Sequence, residues 1–243
     1  MIQSFSHRKL FWALLAACML STLAVLPYAF NLQKEVIMKA TVSLPVMIIG
    51  SVIQSALLFA IALYLGIKMA SKMGLTIIPT QKIKGGKVAM IGVATGLAIV
   101  LGDHIFTQLG VRLTEKLSIP AWQGFLASFY GGIAEEILLR LFFMSLIAWI
   151  IGYITKKQAG KNAGIMWVSI LVASIIFGLG HLPATATLAP LTAIIIARAV
   201  VLNGIGGIVF GWLYWKDSLL AAMVAHFSAD IIIHVIAPAL FNA

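Results

Sequence analysis

Residues 121–154 read AWQGFLASFYGGIAEEILLRLFFMSLIAWIIGYI, and Glu135, Glu136 and Arg140 are the only charged positions in this run. A helix crosses the roughly 30 Å of membrane hydrocarbon with about 20 apolar residues. The run is therefore predicted to be a transmembrane helix. Because it is longer than one simple span, we expect it to be tilted, to continue into the interface, or to break into two pieces near Gly131-Gly132.

Six further apolar runs predict the same kind of element elsewhere, and they fall at 10–30, 43–67, 88–109, 165–181, 188–215 and 218–241. The 243 residues are 62% hydrophobic and only 10% charged, with a mean hydropathy of +1.07, against about 25% charged residues in soluble domains. A soluble globule is excluded. We expect an all-α, polytopic transmembrane helix bundle of seven to eight spans, forming one membrane-embedded domain over 1–243.

The basic residues lie mainly between the apolar runs and predict an orientation. With the N-terminus inside, the outer loops carry Lys34, Lys39, Arg112 and Lys116, whereas the inner segments carry Arg8, Lys9, Lys68, Lys72, Lys82, Lys84, Lys87, Lys156, Lys157, Lys161 and Lys216. Cytoplasmic segments are enriched in lysine and arginine, so this bias predicts seven alternating spans with the C-terminus outside. The formal charge of +10 is assigned to orientation in the bilayer, and no nucleic-acid partner is expected.

The first apolar run allows two interpretations. His7-Arg8-Lys9 followed by an apolar stretch resembles a secretory signal peptide, but Pro27 and Tyr28 spoil the best cleavage position, which follows Ala29. We therefore expect an uncut first helix. The single cysteine, Cys18, lies in this run and cannot form an intramolecular disulfide.

Several ionisable side chains fall inside the predicted spans. They are Asp103, His104, Glu135, Glu136, Arg140, His181, Arg198, His226, Asp230 and His234. Each costs several kcal/mol if it is unpaired in lipid, so such residues face a cavity or one another and are candidates for function. The alternative is a set of ion pairs that fixes helix packing, which is the role we expect for Arg198 and for Asp103-His104.

The two glutamates predict a division of roles. On a helix they lie about 100° apart, whereas Glu136 and Arg140 share a face at i, i+4. One carboxylate can then pair with the arginine while Glu135 stays free to act as a general base on water. The alternative is that both glutamates simply share Arg140.

Two further segments each bring a histidine. Phe177 and His181 share a helical face in one segment, and His226 and Asp230 do so in the other, where His234 continues the stripe. Glu135, His181, His226 and Asp230 are donors of the type that zinc accepts, although the compact H-E-x-x-H signature is absent. Counting from the basic ends at about 1.5 Å per residue places Glu135 and His181 about 26 Å deep, Asp230 about 19 Å and His226 only about 13 Å.

Taken in order, Glu135-Glu136-x-x-x-Arg140, Phe177-x-x-x-His181 and His226-x-x-x-Asp230 closely resemble the three motifs of the CAAX-protease-like family, also called CPBP or Abi. The family includes the eukaryotic type II prenyl-protein endopeptidase and many bacterial homologues. The resemblance covers roughly 120–235, which we expect to be the catalytic core. It implies an intramembrane endopeptidase acting on a peptide or protein near the membrane, in contact with lipid, most simply in a bacterial cytoplasmic membrane.

The resemblance also implies roles for the motif residues. Glu135 would be the base, His181 would hold or activate water, and His226 with residue 230 would stabilise the oxyanion, while Glu136, Arg140 and Phe177 would support the site. The eukaryotic pattern has asparagine where this chain has Asp230. An ionised aspartate cannot donate a hydrogen bond, so it would orient His226, stay protonated or bind a metal.

The cofactor and the function each leave alternatives. Both a zinc-dependent and a metal-free glutamate mechanism stay open, and we favour the metal-free one. The intramembrane charges also fit a proton-coupled transporter, although no inverted repeat supports it. A third reading is a non-catalytic bacteriocin-immunity or binding protein on the same scaffold, because a fold does not guarantee its chemistry.

Overall fold

The computed structural model describes residues 7–79, 83–111 and 119–241. Within these ranges it contains no strand, and seven helices are long and apolar enough to cross a membrane. They are α1 (His7–Leu32), α2 (Leu44–Met73), α3 (Gly85–Gln108), α4 (Ala121–Thr155), α5 (Ala163–Ala186), α6 (Ala193–Lys216) and α7 (Leu219–Leu240). The prediction of an all-α, multi-span bundle is confirmed, and each predicted run lies within a few residues of its helix.

The long helix α4 remains one element, so the break near Gly131-Gly132, one of the three alternatives, is not found. It begins as an α-helix over Ala121–Phe129, widens into π-helix over Tyr130–Glu135 and Ile137–Met144, and ends as an α-helix over Ser145–Thr155. The glycines do not end the helix; they let α7 approach it closely. The eighth crossing is thus not found in the described part of the chain.

Helix α7 also changes from α-helix to π-helix partway along its length. It is α-helical over Leu219–Asp230 and π-helical over Ile231–Ile236. Its first turn is fixed by the Ser218 hydroxyl, which accepts a hydrogen bond from the backbone N–H of Ala221. π-Helical turns within α-helices are rare and often lie at functional sites, and here they adjoin the predicted motif residues on both helices.

Small residues allow α3 and α7 to pack backbone against backbone. A Cβ atom added at Gly92 would overlap the carbonyl oxygen of Ala225, and one added at Gly96 would lie 2.7 Å from that of Ala229. Glycines and alanines four residues apart are typical of close helix contacts in membranes. This contact fixes the α7 segment that carries His226 against the N-terminal half of the chain.

The two ends of the bundle differ in charge. The loop after α2, the loop after α4 and the start of α7 meet at one end: Leu219 N donates to the Thr76 carbonyl, and Trp215 Nε1 donates to that of Gly160. We call this the lysine-rich end, because it carries the described lysines Lys68, Lys72, Lys84, Lys87, Lys156, Lys157, Lys161 and Lys216. Lys82, Arg112 and Lys116, which entered the orientation prediction, lie outside the described residues.

Candidate active site

A carboxylate, a guanidinium and an imidazole meet in the interior of the bundle. Glu136 Oε1 lies 3.0 Å from Arg140 Nη1 and 2.7 Å from His226 Nδ1, so it links α4 to α7. All three side chains are buried. Glu136 is therefore paired, as the i, i+4 spacing predicts, but its contact with His226 was not predicted.

Arg140 is enclosed by aromatic rings as well as by Glu136. Its guanidinium carbon lies 4.9 Å from the ring centre of Phe177 on α5 and 5.4 Å from that of Phe210 on α6. Its Nη1 and Nη2 atoms and Glu136 Oε2 have no hydrogen bond of suitable geometry to the described protein atoms, so the 3.0 Å contact of Nη1 with Glu136 Oε1 is an ion pair only. The cation is thus held by one ion pair and by ring faces, which attract cations electrostatically.

His226 is held by two aromatic rings and at one nitrogen. Its ring stacks on Phe210 at 4.5 Å and meets the ring of Phe177 edge-on at 5.8 Å. Since an ionised Glu136 only accepts hydrogen bonds, we assign a proton to Nδ1. The Nε2 atom then faces Glu135 Oε2 at 3.7 Å and Asp230 Oδ1 at 3.6 Å. This geometry leaves Nε2 available to a third group.

Glu135 differs from its neighbour in its environment. Its side chain is 22% exposed, whereas that of Glu136 is fully buried. In the described structure Glu135 contacts His226 Nε2 at 3.7 Å, whereas Glu136 forms the ion pair with Arg140. The two carboxylates are thus separated into a paired one and an accessible one.

Gly131 makes the approach of Asp230 possible. A Cβ atom at this position would overlap the Asp230 carboxylate and would lie 3.1 Å from His226 Nε2. The glycine is therefore part of the wall of the site rather than a helix breaker. A side chain here would displace the two α7 groups.

A hydrogen-bonded extension of the site was not predicted. His234, one turn beyond Asp230, places its Nε2 3.9 Å from Asp230 Oδ1, and its Nδ1 lies 3.2 Å from the Tyr28 hydroxyl on α1. The spacing places His234 on the same helical face as His226, but nothing in the sequence predicted the contact of Tyr28 or the stacking of Phe210.

His181 lies apart from the carboxylates. It is the residue at which the regular part of α5 ends, its Nδ1 atom lies 2.9 Å from the Phe177 carbonyl oxygen, and its ring meets the Phe177 ring at 4.8 Å. Among the described residues, no carboxylate lies within 4 Å of its ring nitrogens. The equal depths calculated for His181 and Glu135 therefore do not translate into contact, and Phe177 lies between His181 and His226.

The difference in depth calculated for Glu135 and His226, about 26 Å against about 13 Å, was wrong. The helix of His226 begins at Leu219, as expected from the sequence, and yet His226 contacts both glutamates. The count assumed 1.5 Å per residue along straight α-helices that start at a common level, whereas α4 is π-helical over Ile137–Met144. The depth counts therefore do not determine which residues of α4 and α7 meet.

The metal-binding hypothesis does not fit this arrangement. Over the described ranges, no group of three or more His, Cys, Asp or Glu side chains is placed to hold a metal ion. Of the four candidate ligands, His181 lies apart from Glu135 and Asp230, so the four donors do not meet at one point.

The charged pair outside the motifs joins two other helices. Arg198 Nε donates to Asp103 Oδ1 at 2.7 Å, and Nη2 lies 2.6 Å from the same oxygen. Asp103 is thus a partner of Arg198. The pair links α6 to α3, and His104 lies 3.4 Å from Gln108 on its own helix.

Comparison with known proteins gives one match. Residues 117–232 match the family model described as type II CAAX prenyl endopeptidase Rce1-like. No curated protein and no solved structure matches the chain. The matched block coincides with the three motifs, so the resemblance to the CAAX-protease family is confirmed. With its seven apolar helices, the chain is an integral multi-pass membrane protein.

Proposed function

We propose that this chain, whose residues 117–232 belong to the Rce1-like family of type II CAAX prenyl endopeptidases, hydrolyses its peptide substrate with a water molecule activated by Glu135. Family membership supports the coarser statement of an intramembrane CAAX-protease function. The observation that carries the mechanism is the unequal environment of the two glutamates: Glu136 is bound by Arg140 and His226, while Glu135 is accessible. A base must be free to reach its water.

In the first step Glu135 takes a proton from water, and the resulting hydroxide attacks the carbonyl carbon of the scissile bond. The carbonyl oxygen becomes an oxyanion, which requires a donor already in position. His226 Nε2 supplies it when protonated, because Glu136 holds the opposite nitrogen and fixes the ring. The donor and the base lie 3.7 Å apart, close enough to act on one tetrahedral centre.

In the second step the protonated Glu135 returns its proton to the leaving amine as the carbon–nitrogen bond breaks. Asp230, whose Oδ1 lies 3.6 Å from Nε2 of His226, orients that ring, a role open to an ionised carboxylate. His181 is assigned to the edge of the substrate cavity, behind Phe177, rather than to the attacking water.

The Asp103–Arg198 pair supports a peptidase over a proton-coupled transporter. These two charges neutralise each other across α3 and α6, which suits helix packing more than an ion path. We place the protein in a bacterial cytoplasmic membrane, with lipid around it and a peptide as its substrate.

The first test replaces Glu135 by glutamine, which keeps the shape and removes the base. In detergent micelles, cleavage of a quenched fluorescent peptide ending in a prenylated CAAX sequence should fall by roughly 10²–10⁴-fold. Asp217→Asn, at an exposed carboxylate of the lysine-rich end, is the matched control and should keep full activity. Full activity of the Glu135→Gln variant would disprove the glutamate mechanism, and a wild-type protein that cleaves no peptide would favour the immunity-protein reading.

The second test addresses the metal. Purified wild-type protein should contain far less than one zinc per chain, and it should keep its activity after dialysis against a chelator. Both expectations follow from the dispersed donors at the site. Stoichiometric zinc that is lost from a His226→Ala variant would overturn the metal-free mechanism while leaving peptidase activity itself in place.

A further inference from the structure

A small pocket lies at the lysine-rich end, where the end of helix α2 meets the end of helix α4. It has a volume of about 170 Å³, and its lining includes Lys72, Met73, Trp149, Tyr153, Lys157 and Ala159. None of these residues belongs to the three motifs. Along α4, the fully buried Met144 and Ala148 lie between the pocket and Arg140. The pocket is therefore separate from the candidate active site.

The floor and one wall of the pocket consist of packed side chains. Met73 and Ala159 are buried at the floor, where a Cβ atom added at Gly160 would overlap the Met73 carbonyl oxygen. The wall is aromatic, because the rings of Trp149 and Tyr153 stack at 5.9 Å with their planes 23° apart. Tryptophan and tyrosine are enriched at the level of the lipid headgroups, since their rings are apolar and their N–H or O–H group is polar. The pocket thus has the chemistry of the membrane–water interface.

The described lining of the pocket presents two cations and no carboxylate. Lys72 comes from the last turn of α2 and Lys157 from the loop after α4, and both side chains are exposed. Neither lysine forms an ion pair with a carboxylate in the described part of the chain. Lysine is a common binder of phosphate, to which it donates as a point charge. Two lysines from separate elements therefore suit one anionic group placed between them.

The turn that carries Lys157 into the pocket has an unfavourable backbone conformation. Lys156 has a φ of 54°, and among the described residues it is the only non-glycine residue with a positive φ. A helix often ends on such a left-handed residue, which is usually glycine because a Cβ atom is unfavourable there. The turn is closed by the Lys157 N–H, which donates to the Gly152 carbonyl at 3.0 Å. Strain of this kind is often found at ligand-binding sites.

Apolar surface lies deeper along the two helices that form the pocket. Leu65 on α2 and Ile150 on α4 are exposed, and each precedes a pocket lysine by seven residues. Exposed apolar side chains at this depth of a membrane-spanning helix contact lipid acyl chains. A ligand with a phosphate and hydrocarbon chains therefore matches the pocket together with the helix surfaces next to it. Inorganic phosphate matches the lysines alone.

We propose that this pocket binds the phosphate of an anionic phospholipid between Lys72 and Lys157. The headgroup lies against the aromatic wall, and the acyl chains follow the apolar surfaces of α2 and α4. Because the phosphate bridges the ends of two helices, the lipid holds α2 against α4. Their contact continues to Gly66, where an added Cβ would lie 2.7 Å from the carbonyl oxygen of Leu141, the residue after Arg140. The site is independent of the peptidase function and can be tested without activity.

The experiment counts the lipid molecules that bind to the purified chain in detergent. Native mass spectrometry measures the binding of added dioctanoyl phosphatidylglycerol, and dioctanoyl phosphatidylcholine provides the same acyl chains with a neutral headgroup. Lys72→Gln combined with Lys157→Gln removes the two charges of the pocket. Lys84→Gln combined with Lys87→Gln is the matched control, because it removes two exposed lysines of the same end at the start of α3.

The wild-type protein should bind a single phosphatidylglycerol in preference to phosphatidylcholine. The pocket double variant should bind phosphatidylglycerol about tenfold or more weakly, because two lysine–phosphate contacts are lost. The control double variant should bind it as the wild type does. An equal loss in the two double variants would show a diffuse attraction to the lysine-rich end and would overturn the proposed site. A wild-type protein that does not distinguish the two lipids would overturn it as well.

The unfolding midpoint in detergent distinguishes a lipid from free phosphate as the ligand. Phosphatidylglycerol should raise the midpoint of the wild type and of the control double variant but not that of the pocket double variant, because a ligand stabilises only the fold that binds it. Without lipid the three proteins should unfold at the same midpoint, since each substitution replaces an exposed side chain. Inorganic phosphate should leave the midpoint unchanged. A rise as large as that with phosphatidylglycerol would overturn the phospholipid as the ligand.

Discussion

Arg140 is a cation in the middle of a membrane protein, and its surroundings explain how it stays there. One carboxylate, Glu136, lies within 3.0 Å of it, and the rings of Phe177 and Phe210 lie near the guanidinium. A buried ion pair contributes little net stability, because both charges lose their hydration. The pair instead fixes the position of Glu136, which in turn holds the His226 ring through Nδ1.

Removing one partner of this pair should cost far more than removing both. Glu136→Ala leaves the arginine buried and uncompensated, so we expect a loss of about 3–5 kcal/mol. Glu136→Leu combined with Arg140→Met replaces the pair by apolar groups and should recover most of that loss. The measurement is unfolding in detergent micelles followed by circular dichroism. Neither variant should cleave peptide, because His226 loses its partner.

The same comparison shows whether the pair acts through charge. If the double variant is as unstable as Glu136→Ala, the loss comes from the shape of the glutamate and not from the unpaired arginine. Glu135→Ala is the control, since this partly exposed carboxylate makes no ion pair with an arginine in the described structure, and it should change stability by less than about 1 kcal/mol.

At this scale the sequence predicted one ion pair but not the contacts that surround it. The spacing of Glu136 and Arg140 predicted their pairing, and the lack of an arginine for Glu135 followed from it. The stacking of Phe210 on His226 joins residues of two helices whose relative rotation no spacing rule specifies. His181 was grouped with the carboxylates by depth and by the family resemblance, and neither determines on which side of Phe177 a side chain lies.

At the scale of the helices, the π-helical segments of α4 and α7 explain what the spacing rules missed. Helical-wheel arguments assume 3.6 residues per turn, but hydrogen bonds from i to i+5 widen the turn over Tyr130–Glu135 and Ile231–Ile236. The change rotates the residues beyond it relative to those before it. The seven apolar runs correctly predicted seven helices, because the length and hydropathy of a run are the same whether its turns are α-helical or π-helical.

Gly131 should be intolerant of even the smallest side chain. An alanine Cβ would overlap the Asp230 carboxylate, which must then move with His226. A shift of about 1 Å at reacting groups can lower the rate about 10²-fold, so Gly131→Ala should lose activity on that scale. Peptide cleavage measures the effect, with the unfolding midpoint as a check on folding.

Gly204→Ala is the matched control for Gly131→Ala, because an added Cβ at Gly204 meets no atom within 4 Å. It should keep full activity and gain slightly in stability, since alanine favours helix over glycine. Equal activity of the two variants would show that Asp230 adjusts without cost and that Gly131 does not shape the site.

Across the whole molecule, the family match covers 117–232, yet the site depends on helices outside it. Gly92 and Gly96 on α3 pack against the α7 segment that carries His226, and Tyr28 on α1 hydrogen-bonds to His234. The motifs predicted a catalytic core at 120–235, but they carry no information on which other helices complete it. Long-range pairs such as Tyr28 with His234 arise from tertiary packing alone.

Tyr28→Phe tests whether α1 contributes to catalysis as well as to packing. It deletes one hydroxyl, which should release His234 and loosen Asp230 without leaving a cavity. A hydrogen bond of about 1 kcal/mol corresponds to roughly a fivefold fall in kcat, with KM and the unfolding midpoint nearly unchanged. Tyr64→Phe is the matched control and should behave as wild type, because the Tyr64 hydroxyl accepts a hydrogen bond from exposed Lys68 on the same helix, away from the motifs. Equal kcat for the two variants would confine the catalytic machinery to α4 through α7, whereas a matching fall in stability would assign Tyr28 to packing.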